Sequence, residues 1–205
     1  MPNIFIHEKV AYNIAKENKY LDTPNFYLGV LTPDAVNLNG FAPKEERWTS
    51  HLRDKNLSTW RQNIIDFYNK EKSNYASYFL DGYLIHILTD IIFDDYFYSN
   101  VIDLIKKDHK DIEDAHPLLL KSMNDYAIVN KDDKLIGYIK EKLNNADSLN
   151  IRNISKEQLL SWSKKQLNYN ESSSITNPYI TDDLIEKITT QVSKEYFDIV
   201  NDYVK

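Results

Sequence analysis

A chain of 205 residues with 42% hydrophobic and 13% aromatic residues is sized for one domain with a substantial core, which excludes a disordered tail. Its 25 basic and 31 acidic residues give a formal charge of −6, so no broad positive surface exists to neutralise a phosphate backbone, and a general nucleic-acid binder is disfavoured. Four Gly and six Pro are too few for an all-β chain with frequent tight turns, and the lack of Cys leaves any metal to His, Asp, Glu or main-chain groups.

The opening Met1-Pro2-Asn3-Ile4-Phe5-Ile6-His7 lacks both the basic region and the apolar run of a signal peptide, so a cytoplasmic protein is expected. From Ile4 to Asn18 the apolar residues Ile4, Val10, Ala11, Ile14 and Ala15 form one helical stripe, which also takes in His7, and Asn3 is placed to cap it. Between Leu21 and Asn56 periodicity fades under Pro24, Gly29, Pro33, Gly40 and Pro43, which predicts a long irregular connection of the functional kind. Ser58 is expected to cap an amphipathic helix to about Lys72 with Trp60, Ile64, Phe67 and Tyr68 inward.

The most apolar segment, Asn74 to Tyr98, is interrupted by Asp81, His86, Asp90, Asp94 and Asp95, so it predicts a long buried central helix and no membrane span. Further helices are expected at about 99–108, 111–130, 132–145, 155–168 and 181–204, with a loop from Asn168 to Tyr179. No repeat and no shift in composition divides the chain, so residues 1–205 read as a single-domain, all-α helical bundle around the central helix.

Within that helix, Gly82-Tyr-Leu-Ile-His86-Ile-Leu-Thr-Asp90 sets an imidazole and a carboxylate one turn apart on one face, and Gly82 leaves room for another element to approach. Such a pair can be a buried hydrogen-bonded couple or half of a metal site. The presence of His7 on an apolar stripe, Asp34 in a Pro-Asp turn and His51 before the next helix favours metal, because unpaired buried charges cost several kcal/mol each.

In this order and rough spacing, Pro2-Asn3-Ile4-Phe5-Ile6-His7, Gly29-Val-Leu-Thr-Pro33-Asp34, His51 and Gly82-Tyr-Leu-Ile-His86-Ile-Leu-Thr-Asp90 resemble the zinc-dependent phospholipase C family, related to single-strand nucleases. The resemblance covers roughly the first half of the chain and implies an all-α fold with zinc in a cleft. It implies that Asp34, His51, His86 and Asp90 surround one metal, that His7 serves a neighbouring metal bridged by Asp90, and that Asp34 is the general base. One or two zinc ions are expected, with other divalent transition metals as alternatives.

The chain departs from the family pattern at Tyr96, where a further ligand His would fall. His109-Lys-Asp-Ile-Glu113 or Asp94 could supply a replacement, and each also reads as an ordinary surface group. His116-Pro117 reads as a helix start, Asp54 as a loop cap, and the many Tyr and Phe rings as core before they read as an aromatic cage. The expected function is a metal-dependent hydrolase of a small-molecule or lipid-derived phosphate ester or phosphodiester. The alternatives are the same scaffold with one metal and a different substrate or no catalysis, and a metal-free helical interaction protein with a buried polar network.

Overall fold

The computed structural model describes residues 2–76, 78–130, 133–147, 149–166 and 179–202, and among these residues the fold is all-α. Helix α1 (Ile4–Glu17) begins where the Asn3 side chain accepts a hydrogen bond from the Ile6 N–H, and it buries Ile6, His7, Val10, Ala11 and Ile14 on one face. The stretch from Leu21 to Asn56, expected to be irregular, instead contains α2 (Pro24–Leu31), a 3-10 turn (Pro33–Asn37) and α3 (Lys44–Ser50). The proline that suggested a break starts α2: Thr23 caps the helix through the Phe26 N–H and Pro24 stands in its first turn, where no N–H is needed.

Asn56, two residues before the expected Ser58, caps α4 (Leu57–Glu71). The single helix expected over Asn74–Tyr98 is shorter at its start, because Tyr78 adopts a left-handed φ of 66° that cannot continue a helix. Helix α5 (Phe79–Ile92) is buried along its whole length and leads through a π-helical turn (Phe93–Phe97) into α6 (Tyr98–Asp108). After α6 come α7 (His116–Val129), α8 (Asp133–Leu143), α9 (Lys156–Gln166) and α10 (Asp182–Asp202). The loop expected from Asn168 lies outside the described residues except for Tyr179.

Helices α2 and α5 cross at a glycine on each. A Cβ on Gly82 would collide with the Phe26 carbonyl oxygen, and a Cβ on Gly29 would collide with that of Phe79. Backbones can pack this tightly only where both side chains are absent, so the crossing brings the Val30 carbonyl and the Pro33–Asn37 turn against the His86 face of α5. The core of Phe26, Leu28, Tyr83, Leu84, Ile87, Leu88 and Ile91 surrounds this crossing and is closed by α1, α4 and α10. No helix among the described residues is long and apolar enough to cross a membrane.

Candidate metal centre

His7, Asp34, His51, His86 and Asp90 converge from α1, the 3-10 turn, the end of α3 and α5. Two overlapping triads, His7/Asp34/His86 and His51/His86/Asp90, have their ligand atoms within 4.8 Å of one another. His7, His51, His86 and Asp90 are buried, and Asp34 alone keeps 13% of its side chain exposed.

Main-chain carbonyls orient two of the imidazoles. His86 Nδ1 lies 2.7 Å from the Val30 oxygen, and His51 Nδ1 lies 2.8 Å from the Arg47 oxygen. A carbonyl only accepts, so both Nδ1 atoms carry the proton, and in its neutral form each ring presents an Nε2 lone pair inward. His51 Nε2 and His86 Nε2 are 3.3 Å apart. Two nitrogens held about 2.0–2.1 Å from one tetrahedral cation stand about 3.3 Å apart, so the pair suits a shared metal, and its carbonyl partners are those of metal-binding imidazoles.

The carboxylates complete the ring around this pair. His51 Nε2 lies 3.5 Å from Asp34 Oδ1 and 3.7 Å from Asp90 Oδ2, and His86 Nε2 lies 3.9 Å from Asp90 Oδ2. The other Asp90 oxygen, Oδ1, lies 3.4 Å from His7 Nε2, so the carboxylate divides between His7 and the His51/His86 pair. The His7 ring stacks on His86 with centroids 3.7 Å apart and planes 4° from parallel. Both Asp90 oxygens and His7 Nδ1 are buried with no hydrogen-bond partner among the described residues. A fully buried carboxylate without a hydrogen bond is costly, and a cation coordinated among these groups would offset that cost.

Electrostatics within the cluster are strongly coupled. Burial lowers the His86 pKa to about 3, with His7 adding to the effect, which keeps the ring neutral and able to act as a ligand. Burial works to raise the Asp90 pKa, but the His7, His51 and His86 imidazoles outweigh it and hold the carboxyl well below its usual range. The same opposition holds for Asp34, where the His51 contact prevails. At His51 burial works downward, and Asp34 and Asp90 reverse it to a net rise.

His51 is fixed by its own backbone. It ends α3, the following Leu52 takes a left-handed φ of 54°, and the His51 carbonyl accepts a hydrogen bond of 2.7 Å from the buried Trp60 indole. Strain at a bulky non-glycine residue such as Leu52 is of the kind that surrounding structure must enforce. The hydroxyl of Tyr83, on α5, donates to the Ser50 carbonyl and ties this corner to the central helix.

Asp34 lines an open cleft of about 890 Å³ whose walls include Arg47, Arg53, Lys55, Phe41 and Trp48. Asp34 Oδ1 accepts a 3.3 Å hydrogen bond from the Asn37 amide, so the turn that carries the carboxylate also orients it. Neither a family model, nor a curated protein, nor a solved structure matches this chain.

The other sequence candidates are placed elsewhere. His109 ends α6 and Glu113 lies in the irregular stretch before α7, so the two do not share a helix face, and both are exposed. Asp94 sits on the π-helical turn and accepts a 2.7 Å hydrogen bond from Arg53, while Tyr96 is exposed. Asp54 accepts from the Asn56 N–H, and His116 opens α7 ahead of Pro117. Several aromatic rings, such as Phe67, Phe79 and Tyr83, pack against one another at tilted angles in the core. Sequence reasoning missed the basic wall of the cleft, although three of the four Arg residues, Arg47, Arg53 and Arg61, bracket His51 and were a signal for it.

Proposed function

We propose that the protein is a divalent-metal-dependent hydrolase of a phosphate ester or phosphodiester, with zinc the cation best suited to an all His/Asp site. The reading is carried by the buried Asp90 carboxylate, without a hydrogen bond among the described residues and set among three imidazoles, next to Asp34, which lines a cleft that Arg47, Arg53 and Lys55 also line. The resemblance of the Gly29–Asp34 and Gly82–Asp90 segments to the zinc-dependent phospholipase C family supports it further.

His51, His86, Asp34 and Asp90 would hold one cation, and His7 with the second oxygen of Asp90 would serve a neighbouring one. A cation held there supplies Lewis acidity toward a phosphoryl oxygen and makes water a usable nucleophile near neutral pH. Asp34 is the chain's own general base: it is ionised, it faces the cleft, and its two contacts fall on Oδ1, which leaves Oδ2 to accept the proton of the attacking water. The Val30 and Arg47 carbonyls keep His86 and His51 in the ligating tautomer through the cycle. Their burial, with that of His7 and Asp90, excludes bulk water from the rest of the cluster.

A metal-free polar network is the rival reading, and the upward shift at His51 favours it, since a His51 imidazolium could donate toward Asp34. Its weakness is distance: the Asp90 oxygens lie 3.4 Å from His7, 3.7 Å from His51 and 3.9 Å from His86, beyond an ordinary N–H to oxygen hydrogen bond. Elemental analysis of the purified chain decides between them. One or more equivalents of metal per chain, lost in Asp90→Ala together with hydrolysis of bis(p-nitrophenyl) phosphate or p-nitrophenyl phosphate, is the expected result. No metal after reconstitution with zinc would reject the hydrolase reading and leave the network.

A further inference from the structure

Three basic side chains project into the cleft beside Asp34 from the segment that also carries His51: Arg47 four residues before it, and Arg53 and Lys55 two and four residues after it. The two arginines are held in place before any ligand arrives. Arg53 donates from Nη2 to Asp94 Oδ2 at 2.7 Å, and its guanidinium lies 4.7 Å from the Trp60 ring and 5.9 Å from the Trp48 ring. Trp60 is fully buried and bonded to the His51 carbonyl, so Arg53 packs on the ring that secures a candidate metal ligand. Arg47 donates from Nε to the Ala42 carbonyl at 2.9 Å and stacks 3.9 Å from Phe41.

Each guanidinium has five N–H donors, and these contacts use only a few of them. Arg53 keeps 26% of its side chain exposed. The acidic groups that share the cleft are engaged: Asp94 by Arg53, Asp54 by the Asn56 N–H, and Asp34 by Asn37 and His51. Forked donors stacked on aromatic rings and fixed by a carboxylate or a carbonyl suit a planar pair of oxygens on an oxyanion, and a freely rotating lysine would not give the same match.

We propose that Arg53 and Arg47 form a phosphoryl-binding station in the cleft, with Arg53 contacting the non-bridging oxygens of the substrate and Asp94 as its positioning residue. Lys55, exposed at the same wall, adds attraction without defining geometry. The catalytic consequence rests on the hydrolase reading above, because the station orients phosphorus over Asp34 only if the neighbouring cluster is the reacting centre. The anion binding itself does not need the metal.

The test uses the full chain, stripped of metal by chelation and titrated with inorganic phosphate at constant ionic strength in chloride, with binding followed by tryptophan fluorescence and by Tm. Saturable binding by the wild type is expected. Arg53→Gln and Arg47→Gln should each weaken it by about tenfold or more, and Lys55→Gln should weaken it by less than about threefold. Asp94→Asn, which leaves Arg53 in place but unfixed, should fall between them, and it serves as the second variant if Arg53→Gln does not fold. In the metal-loaded protein Arg53→Gln should raise KM far more than it lowers kcat, with metal content unchanged. Comparison of p-nitrophenyl phosphate with bis(p-nitrophenyl) phosphate then tells whether the station serves a terminal or a bridging phosphate.

Absence of saturable phosphate binding by the wild type, or wild-type affinity in both arginine variants, overturns the station. Failure of the hydrolase reading shows separately, as phosphate binding that is lost in the arginine variants of a protein that takes up no metal on reconstitution with zinc.

Discussion

At the start of α5 the buried Asp81 accepts hydrogen bonds from the Tyr68 hydroxyl at 2.9 Å and the Tyr196 hydroxyl at 2.8 Å. About two and a half turns further along the same helix, the buried Asp90 has no hydrogen bond on either oxygen among the described residues. Both carboxylates sit on one apolar helix, so burial alone does not separate them; their neighbours do. Asp81 meets neutral donors and closes a structural network, whereas Asp90 meets three imidazoles, two of which turn Nε2 toward it and each other. A satisfied buried carboxylate is part of the fold, and an unsatisfied one among potential ligands is a candidate binding site.

That contrast can be broken most directly by substitution. Asp90→Ala should remove the metal and cut phosphoesterase activity by more than about 100-fold, while Asp81→Ala should retain its metal equivalents, both read by elemental analysis and a chromogenic assay. Loss of metal in Asp81→Ala, with folding intact by circular dichroism, would erase the distinction.

Chelation should come next in size. Metal at about 100 times its Kd stabilises by about 2.7 kcal/mol, and each kcal/mol moves Tm by about 2–4 °C for a chain of this length, so a fall of about 5–10 °C is expected in the wild type and none in Asp90→Ala. The Asp81 end should be blind to chelator. Asp81→Ala should cost about 2 kcal/mol by stranding two hydroxyls, and Tyr196→Phe about 1 kcal/mol, in the presence or absence of chelator, measured by urea unfolding.

The smallest expected difference is in pH dependence, and it has opposite sign at the two ends. Burial raises the Asp81 pKa against its two tyrosine hydrogen bonds, so the native state holds that proton longer than the unfolded chain does, and stability falls as pH rises through the raised pKa. His86, lowered to about 3 chiefly by burial, takes up its proton in the unfolded chain first, so its contribution is present above about pH 6.5 and is lost as pH falls toward 3. In chelated protein, Asp81→Asn should remove the first slope and leave the second, read as Tm against pH. Retention of the first slope in Asp81→Asn would assign it to another group.

Much of this arrangement was legible residue by residue. The Asn3 cap, the inward His7, the one-face spacing of His86 and Asp90, and the room left by Gly82 are local consequences of helical period and side-chain size. The stretch between Leu21 and Asn56 is not legible as helical because proline reads as a break, whereas here Pro24 begins an eight-residue helix and Pro33 a 3-10 turn. Arg53 and Asp94 could not be paired from sequence, since 41 residues and a π-helical turn separate them.

By itself the sequence determined an all-α chain, a buried central helix and which of its faces carries the His86/Asp90 pair, because amphipathic period, caps and glycine positions act within a few residues. Only the tertiary structure decided that Asp34 and His51 meet that face, that Asp90 is left without hydrogen bonds, and that Arg47 and Arg53 wall the cleft above. Those outcomes depend on the close crossing of α2 and α5 and on the backbone reversal after His51, where the final position of a side chain is set by packing between distant segments.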